Sequence, residues 1–177
     1  MRLRGHRRIG FIGGVEGVMS AVERSEGYAE ALNAANIPID PTLIDFGGYT
    51  AEQGRSATRK LLELAELPTA IFASSDQIAI GALDILRDAG ISVPGEISMV
   101  AYDDVAPFNF FSPALTAVRQ PVADMGRYGV ERLVSQITDP AFEMTVERLP
   151  VQLMQRGSVA PPANVYRLSR LIKTWRN

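Results

Sequence analysis

Four short apolar runs are separated by three stretches with apolar residues at helical spacing, and no other feature of the chain constrains its fold as much. The runs are Ile9–Gly13, Leu43–Phe46, Ala70–Ala73 and Ile97–Tyr102. Ser20-x-x-Glu23 reads as a capping box opening a helix to about Asn36, with Pro38 preventing its extension. Thr50-x-x-Gln53 opens a second, to about Glu66. A third begins at Asp76, carries Ile80, Leu83 and Leu86 on one face, and stops at Gly90. Strand and helix signals in strict alternation predict an α/β fold, a doubly wound parallel sheet with helices on both faces. Right-handed crossovers leave few topologies for it.

After the fourth run the pattern changes. Two adjacent carboxylates, Asp103 and Asp104, lead into a loop, Pro107–Phe111, that carries three phenylalanines. Leu115–Val118 reads as a fifth strand, and Pro121 as the first residue of a helix to about Ile137. Val146–Met154 looks extended, interrupted by Pro150, and Gly157–Asn164 reads as a linker. The tail from Val165 to Arg176 sets Leu168, Leu171, Ile172 and Trp175 in one stripe, with Arg167, Arg170, Lys173 and Arg176 off it. The repeated units are strand–helix pairs only; there are no internal sequence repeats.

Composition removes whole classes of chemistry. There is no cysteine, which excludes disulfides and thiolate catalysis, and the one histidine, His6, makes a Ser-His-Asp triad or a His-rich metal site improbable. His6 sits in a basic opening and reads as a surface residue at the start of a strand. Net charge is only −2, so there is no global attraction to nucleic acid or anionic lipid. No export signal or membrane-spanning run is found, which points to the cytoplasm and no membrane partner. Neither a metal nor a cofactor is expected.

In a doubly wound sheet, ligands bind beyond the carboxyl ends of the strands. The polar residues following each run are Ser20 and Arg24, then Tyr49, then Ser75 and Asp76, then Asp103 and Asp104. Each has an ordinary structural reading: Ser20 and Ser75 as helix caps, Tyr49 as packing, Arg24 as a solvated helix residue, Asp104 as a turn stabiliser. Collected on one sheet edge they suit a small polyhydroxyl or heterocyclic ligand. An aromatic ring stacks on it, a guanidinium donates to it, and a carboxylate accepts from its hydroxyls.

The ordered segments His6–Gly14, Arg24-x-x-Gly27-Tyr28, Ser75–Gly81, Gly90–Pro94, Tyr102–Asp104 and Leu115–Pro121 resemble the LacI/GalR family of bacterial transcription regulators, over residues 5 to about 157. That family is similar to periplasmic sugar-binding proteins, with an effector between two α/β subdomains. The resemblance implies Arg24 and Asp103 as main effector contacts, Tyr49 as a stacking residue, Ser75 as a polar contact, and Ser20 as a further one. It implies a homodimer interface at the third helix and the aromatic loop, with Ile80, Leu83, Phe108, Phe110 and Phe111 facing the partner. It divides the chain into a C-terminal effector-binding subdomain (1–119), a returning segment of the N-terminal subdomain (120–149), a strand back to the first unit (150–157), and a linker with a basic tail (158–177).

No helix-turn-helix head, hinge helix or first half of the N-terminal subdomain matches, so operator DNA is expected to be reached only through a head absent from this chain. The apolar face of the helix at 121–138, including Val122, Met125, Val130, Leu133, Val134 and Ile137, is expected to lack its partner. The expected effector is a carbohydrate or nucleoside. Two alternatives are a fragment of a periplasmic-type sugar-binding protein and an enzyme on a doubly wound scaffold. For the latter, Gly10, Gly13, Gly14 and Gly17 have the wrong spacing for a dinucleotide loop, and no acidic residue ends the second strand convincingly.

Overall fold

Three of the four apolar runs become inner strands of a six-stranded sheet, and the second, Leu43–Phe46, forms one of its edges. In the computed structural model, which describes residues 5–139, 141–143 and 145–163, the strands are β1 (Ile9–Ile12), β2 (Ile44–Asp45), β3 (Ala70–Ala73), β4 (Ser98–Tyr102), β5 (Thr116–Arg119) and β6 (Gln152–Met154). Their order is β2-β1-β3-β4-β5-β6. All neighbours are parallel except β5 and β6. The chain moves outward from β1 to β2, then returns across β1 to β3. The strand order therefore reverses between β1 and β3, where a doubly wound sheet opens a crevice.

The helices are α1 (Met19–Ala34), α2 (Ala51–Glu63), α3 (Asp76–Asp88) and α4 (Val122–Thr138). Strand side chains alternate between faces. Ile12, Ile71, Ala73, Met99, Ala101 and Ala117 point into the larger core, beneath α2 and α3. Ile9 and Phe11 point the other way, onto Tyr28 and Leu32 of α1. Two glycines let α2 and α3 meet closely. A Cβ on Gly54 would lie 2.2 Å from the Ile78 carbonyl oxygen, and one on Gly81 would lie 1.9 Å from that of Ala51.

The caps differ in outcome. Thr50 accepts from the Gln53 amide and Ser75 from the Ile78 amide, as N-caps do. Ser20 does not cap. Helix α1 starts two residues earlier than that cap requires, at Met19 behind Val18, whose backbone carbonyl accepts from the Ala21 and Val22 amides. The extended stretch before Met154 pairs only from Gln152, past the interruption at Pro150.

His6 is not a surface residue. It is 4% exposed, with Nδ1 2.9 Å from Thr69 Oγ1 and Nε2 donating to the Ala160 carbonyl at 2.8 Å. Desolvation by burial lowers its pKa, against the opposing pull of the Ala160 bond. Nor does the segment after Gly157 behave as a free linker. The Met99 amide donates to the Ser158 carbonyl, Ser158 Oγ donates to the Met99 carbonyl, and the Ala160 amide donates to Ser98 Oγ. The tail from Val165 to Arg176 lies outside the described residues.

Helix α4 buries none of its residues: Val122 is 70%, Leu133 56% and Ile137 74% exposed. Its apolar face is open among the described residues. No described helix is long and apolar enough to cross a membrane.

Candidate functional site

The residues beyond the ends of β1, β3 and β4 converge around one guanidinium. Arg24, in the second turn of α1, lies with its Cζ 3.9 Å from the centroid of the Tyr102 ring. Its Nη1 donates to the Ser74 carbonyl, just past β3, and lies 4.0 Å from Asp103 Oδ2, just past β4. The stacked ring and the carbonyl hold the guanidinium plane in place. Arg24 presents five N–H donors in all, and one of them goes to Ser74. Its side chain is 15% exposed and that of Asp103 29%, so the pair is partly desolvated yet reachable.

Asp103 adopts φ of +68°, a left-handed conformation that Asp tolerates better than most residues. This kink separates the two carboxylates. Asp103 stays by Arg24, with one oxygen accepting from Gln120 Nε2 at the end of β5. Asp104 turns away and is almost enclosed, its side chain 2% exposed. It accepts from Arg156 at 2.8 Å and from Arg119 at 2.6 Å. The Arg156 hydrogen bond holds its carboxyl below the ordinary carboxylate value despite the opposing effect of burial, and Arg119 adds to the lowering. Asp104 is a structural brace between β4, β5 and the segment after β6.

Tyr49 follows β2 and reaches over Gly14. A Cβ on Gly14 would lie 2.0 Å from Tyr49 Cζ, so the ring rests where only glycine leaves room. Its hydroxyl shares a 2.9 Å hydrogen bond with Ser20 Oγ, and its centroid is 5.9 Å from Arg24 Cζ. Ser20 is therefore a neighbour of the aromatic ring. Ser75 is 5% exposed and spends its oxygen on capping α3. The structure thus brings Arg24, Asp103, Tyr49 and Ser20 together, whereas Ser75 is buried as a helix cap and bonds to none of them.

Tyr102 and Gln120 complete the constellation and were not among the residues singled out from the sequence. Tyr102 was assigned to the strand, although it directly precedes the carboxylate pair. Gln120 lies seventeen or more residues from every other member, so no local spacing signals it. Among the described residues no group of three or more His, Cys, Asp or Glu could hold a metal ion. The set can clamp a polyhydroxyl ring: guanidinium donors beside carboxylate acceptors, with a tyrosine face alongside.

Of the aromatic loop, Phe110 is 86% and Phe111 38% exposed. Phe108 is not available to a partner. It is fully buried in the larger core, because the short 3-10 turn at Ala106–Asn109 folds its ring inward under the backbone bond from Leu115. Ile80 and Leu83 are half-buried on α3 and line a groove of about 390 Å³ with Phe111, Ile91 and Val93.

This sheet order is compatible with a periplasmic binding protein-like domain. That family matches residues 1–159, and the chain belongs to it. Its relatives are LacI-family transcriptional regulators. The HTH-type transcriptional regulator CelR of Thermobifida fusca is 40% identical over 154 residues, covering 87% of this chain and 45% of CelR. The HTH-type transcriptional repressor CytR of Escherichia coli K12 is 35% identical over 155 residues, covering 88% of this chain and 46% of CytR. The chain spans about half the length of the curated relatives it matches. The CelR–cellobiose complex superposes with a TM-score of 0.83 at 40% identity, over 88% of this chain and 47% of that one. A LacI-family regulator from Enterococcus faecium with bound ribose gives 0.80 at 31% identity, over 90% of this chain and 59% of that one.

Proposed function

We propose that this chain is the effector-binding part of a LacI-type regulator and that it binds a carbohydrate reversibly, without turnover. The observation that carries this reading is the Arg24–Asp103 pair at the β1/β3 switch point, partly desolvated and flanked by two tyrosine rings. Adjacent hydroxyls of a sugar ring meet the donor fork and the carboxylate together, and the Tyr49 face takes the ring's C–H surface. The ligands in the names of the similar structures, cellobiose and ribose, support a sugar over a nucleoside. Binding works through selection of one arrangement of the subdomains, which is how a ligand changes the DNA affinity of a distant head. In this reading the chain acts in the cytoplasm and takes no part in catalysis.

The same reading makes the chain a homodimer through α3 and the aromatic loop. Phe111 lines an apolar groove with Ile80 and Leu83, and Phe110 is exposed on the same loop, apolar surface of the kind that marks an interaction site. The division at residues 119–120 and 149–150 into two subdomains belongs to this proposal as well. A thermal-shift screen of the chain against mono- and disaccharides, sugar phosphates and nucleosides tests the ligand class. Stabilisation by a sugar and not by nucleosides is expected. A nucleoside hit without a sugar hit refutes the carbohydrate assignment.

A further inference from the structure

Helix α4 is tied to the rest of the chain at few points. It buries none of its own residues. The polypeptide joins it to the sheet by two crossings, at Gln120–Pro121 after β5 and at Leu149–Val151 before β6. A proline sits on each crossing, Pro121 and Pro150, and fixes one φ there. A cavity of about 390 Å³ separates the two parts. Glu23 and Tyr102 line it on the sheet side, and Met125, Tyr128 and Arg148 on the other. Narrow connections around open space leave α4 room to tilt.

Residues 145–149 are tied to α4. Arg132 donates to Thr145 Oγ1 at 2.8 Å and to Glu147 at 2.6 Å. The next side chain points the opposite way, as neighbours in an extended chain do: Arg148 reaches α1 and lies 2.8 Å from Glu23 Oε1. Among the described residues this is the one side-chain hydrogen bond or ion pair between residues 122–149 and residues 5–119. The hydrogen bond to Arg148 lowers the Glu23 pKa. The same bond raises that of Arg148, and the charge of Glu26 adds to it. Glu23 directly precedes Arg24, so one turn of α1 carries both the centre of the effector edge and the anchor of the second part. The two side chains are 73% and 39% exposed. Such pairs are weak and screened by salt, so this one sets a posture without freezing it.

We propose that the Glu23–Arg148 pair is the strut that sets the posture of α4 and residues 145–149 over the effector edge, and that Glu23 and Arg148 are thereby positioning residues for ligand binding. The coupling to binding rests on the effector reading above. A ligand on Arg24 and the strut on Glu23 favour the same posture, so each strengthens the other.

The chain has no cysteine, so spin labels attach only where cysteines are introduced. Glu63→Cys, exposed on α2, and Gln136→Cys, exposed on α4, place one label on each part. Double electron–electron resonance reads the distribution of distances between them. The wild-type background, Arg148→Glu and the swapped pair Glu23→Arg with Arg148→Glu are compared, with circular dichroism and thermal unfolding as controls. The strut predicts a narrow distribution in the wild type, broader by about two- to threefold in Arg148→Glu and in high salt, and narrow again in the swap, with melting temperatures unchanged. Titration of cellobiose and ribose into the same proteins should show affinity lower by about threefold in Arg148→Glu and recovered in the swap. A wild-type distribution as broad as that of Arg148→Glu, or a swap that fails to restore it, overturns the strut. A sugar that binds wild type and Arg148→Glu equally well overturns the coupling. Distances as expected with no sugar bound by any of the proteins refute the carbohydrate reading and the coupling with it, while the strut stands.

Discussion

Replacing Asp104 by Asn should cost this domain a large part of its stability, with a pH signature that identifies the cause. The Asp104 side chain is 2% exposed and that of Arg156, its 2.8 Å partner, is 14% exposed. Removing the charge of one member of a buried pair leaves the other uncompensated, which costs about 3–5 kcal/mol. Here the lower end applies. Arg156 keeps its 2.7 Å bond to the Leu115 carbonyl, and Arg119, 48% exposed, returns to water at little cost. A loss of about 3 kcal/mol lowers the melting temperature of a domain this size by roughly 6–12 °C. The native carboxyl titrates below its unfolded value because Arg156, and then Arg119, hydrogen-bond to it. The stabilisation is therefore fully present above the unfolded value of about 3.9, and it disappears as pH falls through the lower native value. Urea titrations of wild type and Asp104→Asn at a series of pH values test this. The gap between them should be constant from neutral pH to about 5 and shrink in stronger acid. A gap under about 1 kcal/mol at neutral pH, or one that persists unchanged in acid, refutes the brace.

Other predictions follow from the same geometry. Gly14→Ala puts a methyl group 2.0 Å from Tyr49 Cζ; the ring must move, and sugar affinity should fall about three- to tenfold with little change in melting temperature, as calorimetry and thermal unfolding would show. Gly81→Ala drives a Cβ to 1.9 Å from the Ala51 carbonyl oxygen; prying α2 from α3 should cost about 1–3 kcal/mol in urea unfolding. The lowered pKa of His6 means that its contribution is intact above its unfolded value of about 6.5 and is lost as pH falls toward the native value. Wild type should therefore lose stability between neutral and mildly acidic pH, and His6→Gln should flatten that slope.

What the sequence disclosed, and what it hid, divides by range. Strand–helix alternation is a local periodicity, so the architecture could be read directly. The caps at Thr50 and Ser75 were legible because the capped amide lies three residues on. The motif at Ser20 has the same spacing but fails, since its hydroxyl meets Tyr49, 29 residues away. His6 was misread for a similar reason: its partners Thr69 and Ala160 are 63 and 154 residues distant. Phe108, Phe110 and Phe111 are indistinguishable in the sequence, and only the turn at Ala106–Asn109 determines which ring goes inside. Asp103 and Asp104 are chemically identical neighbours. The left-handed backbone at Asp103, and the arrival of Arg119 from β5 and Arg156 from the segment after β6, give them different roles.

The central claim is that Arg24 and Asp103 together hold a sugar. Calorimetric titration of cellobiose, ribose and any sugar found by thermal shift into wild type, Arg24→Ala, Asp103→Ala and the control Arg59→Ala tests it most directly. The account predicts saturable binding of at least one sugar to wild type and to Arg59→Ala, with affinity reduced at least tenfold in both site variants. Undiminished affinity in Arg24→Ala and Asp103→Ala would contradict it.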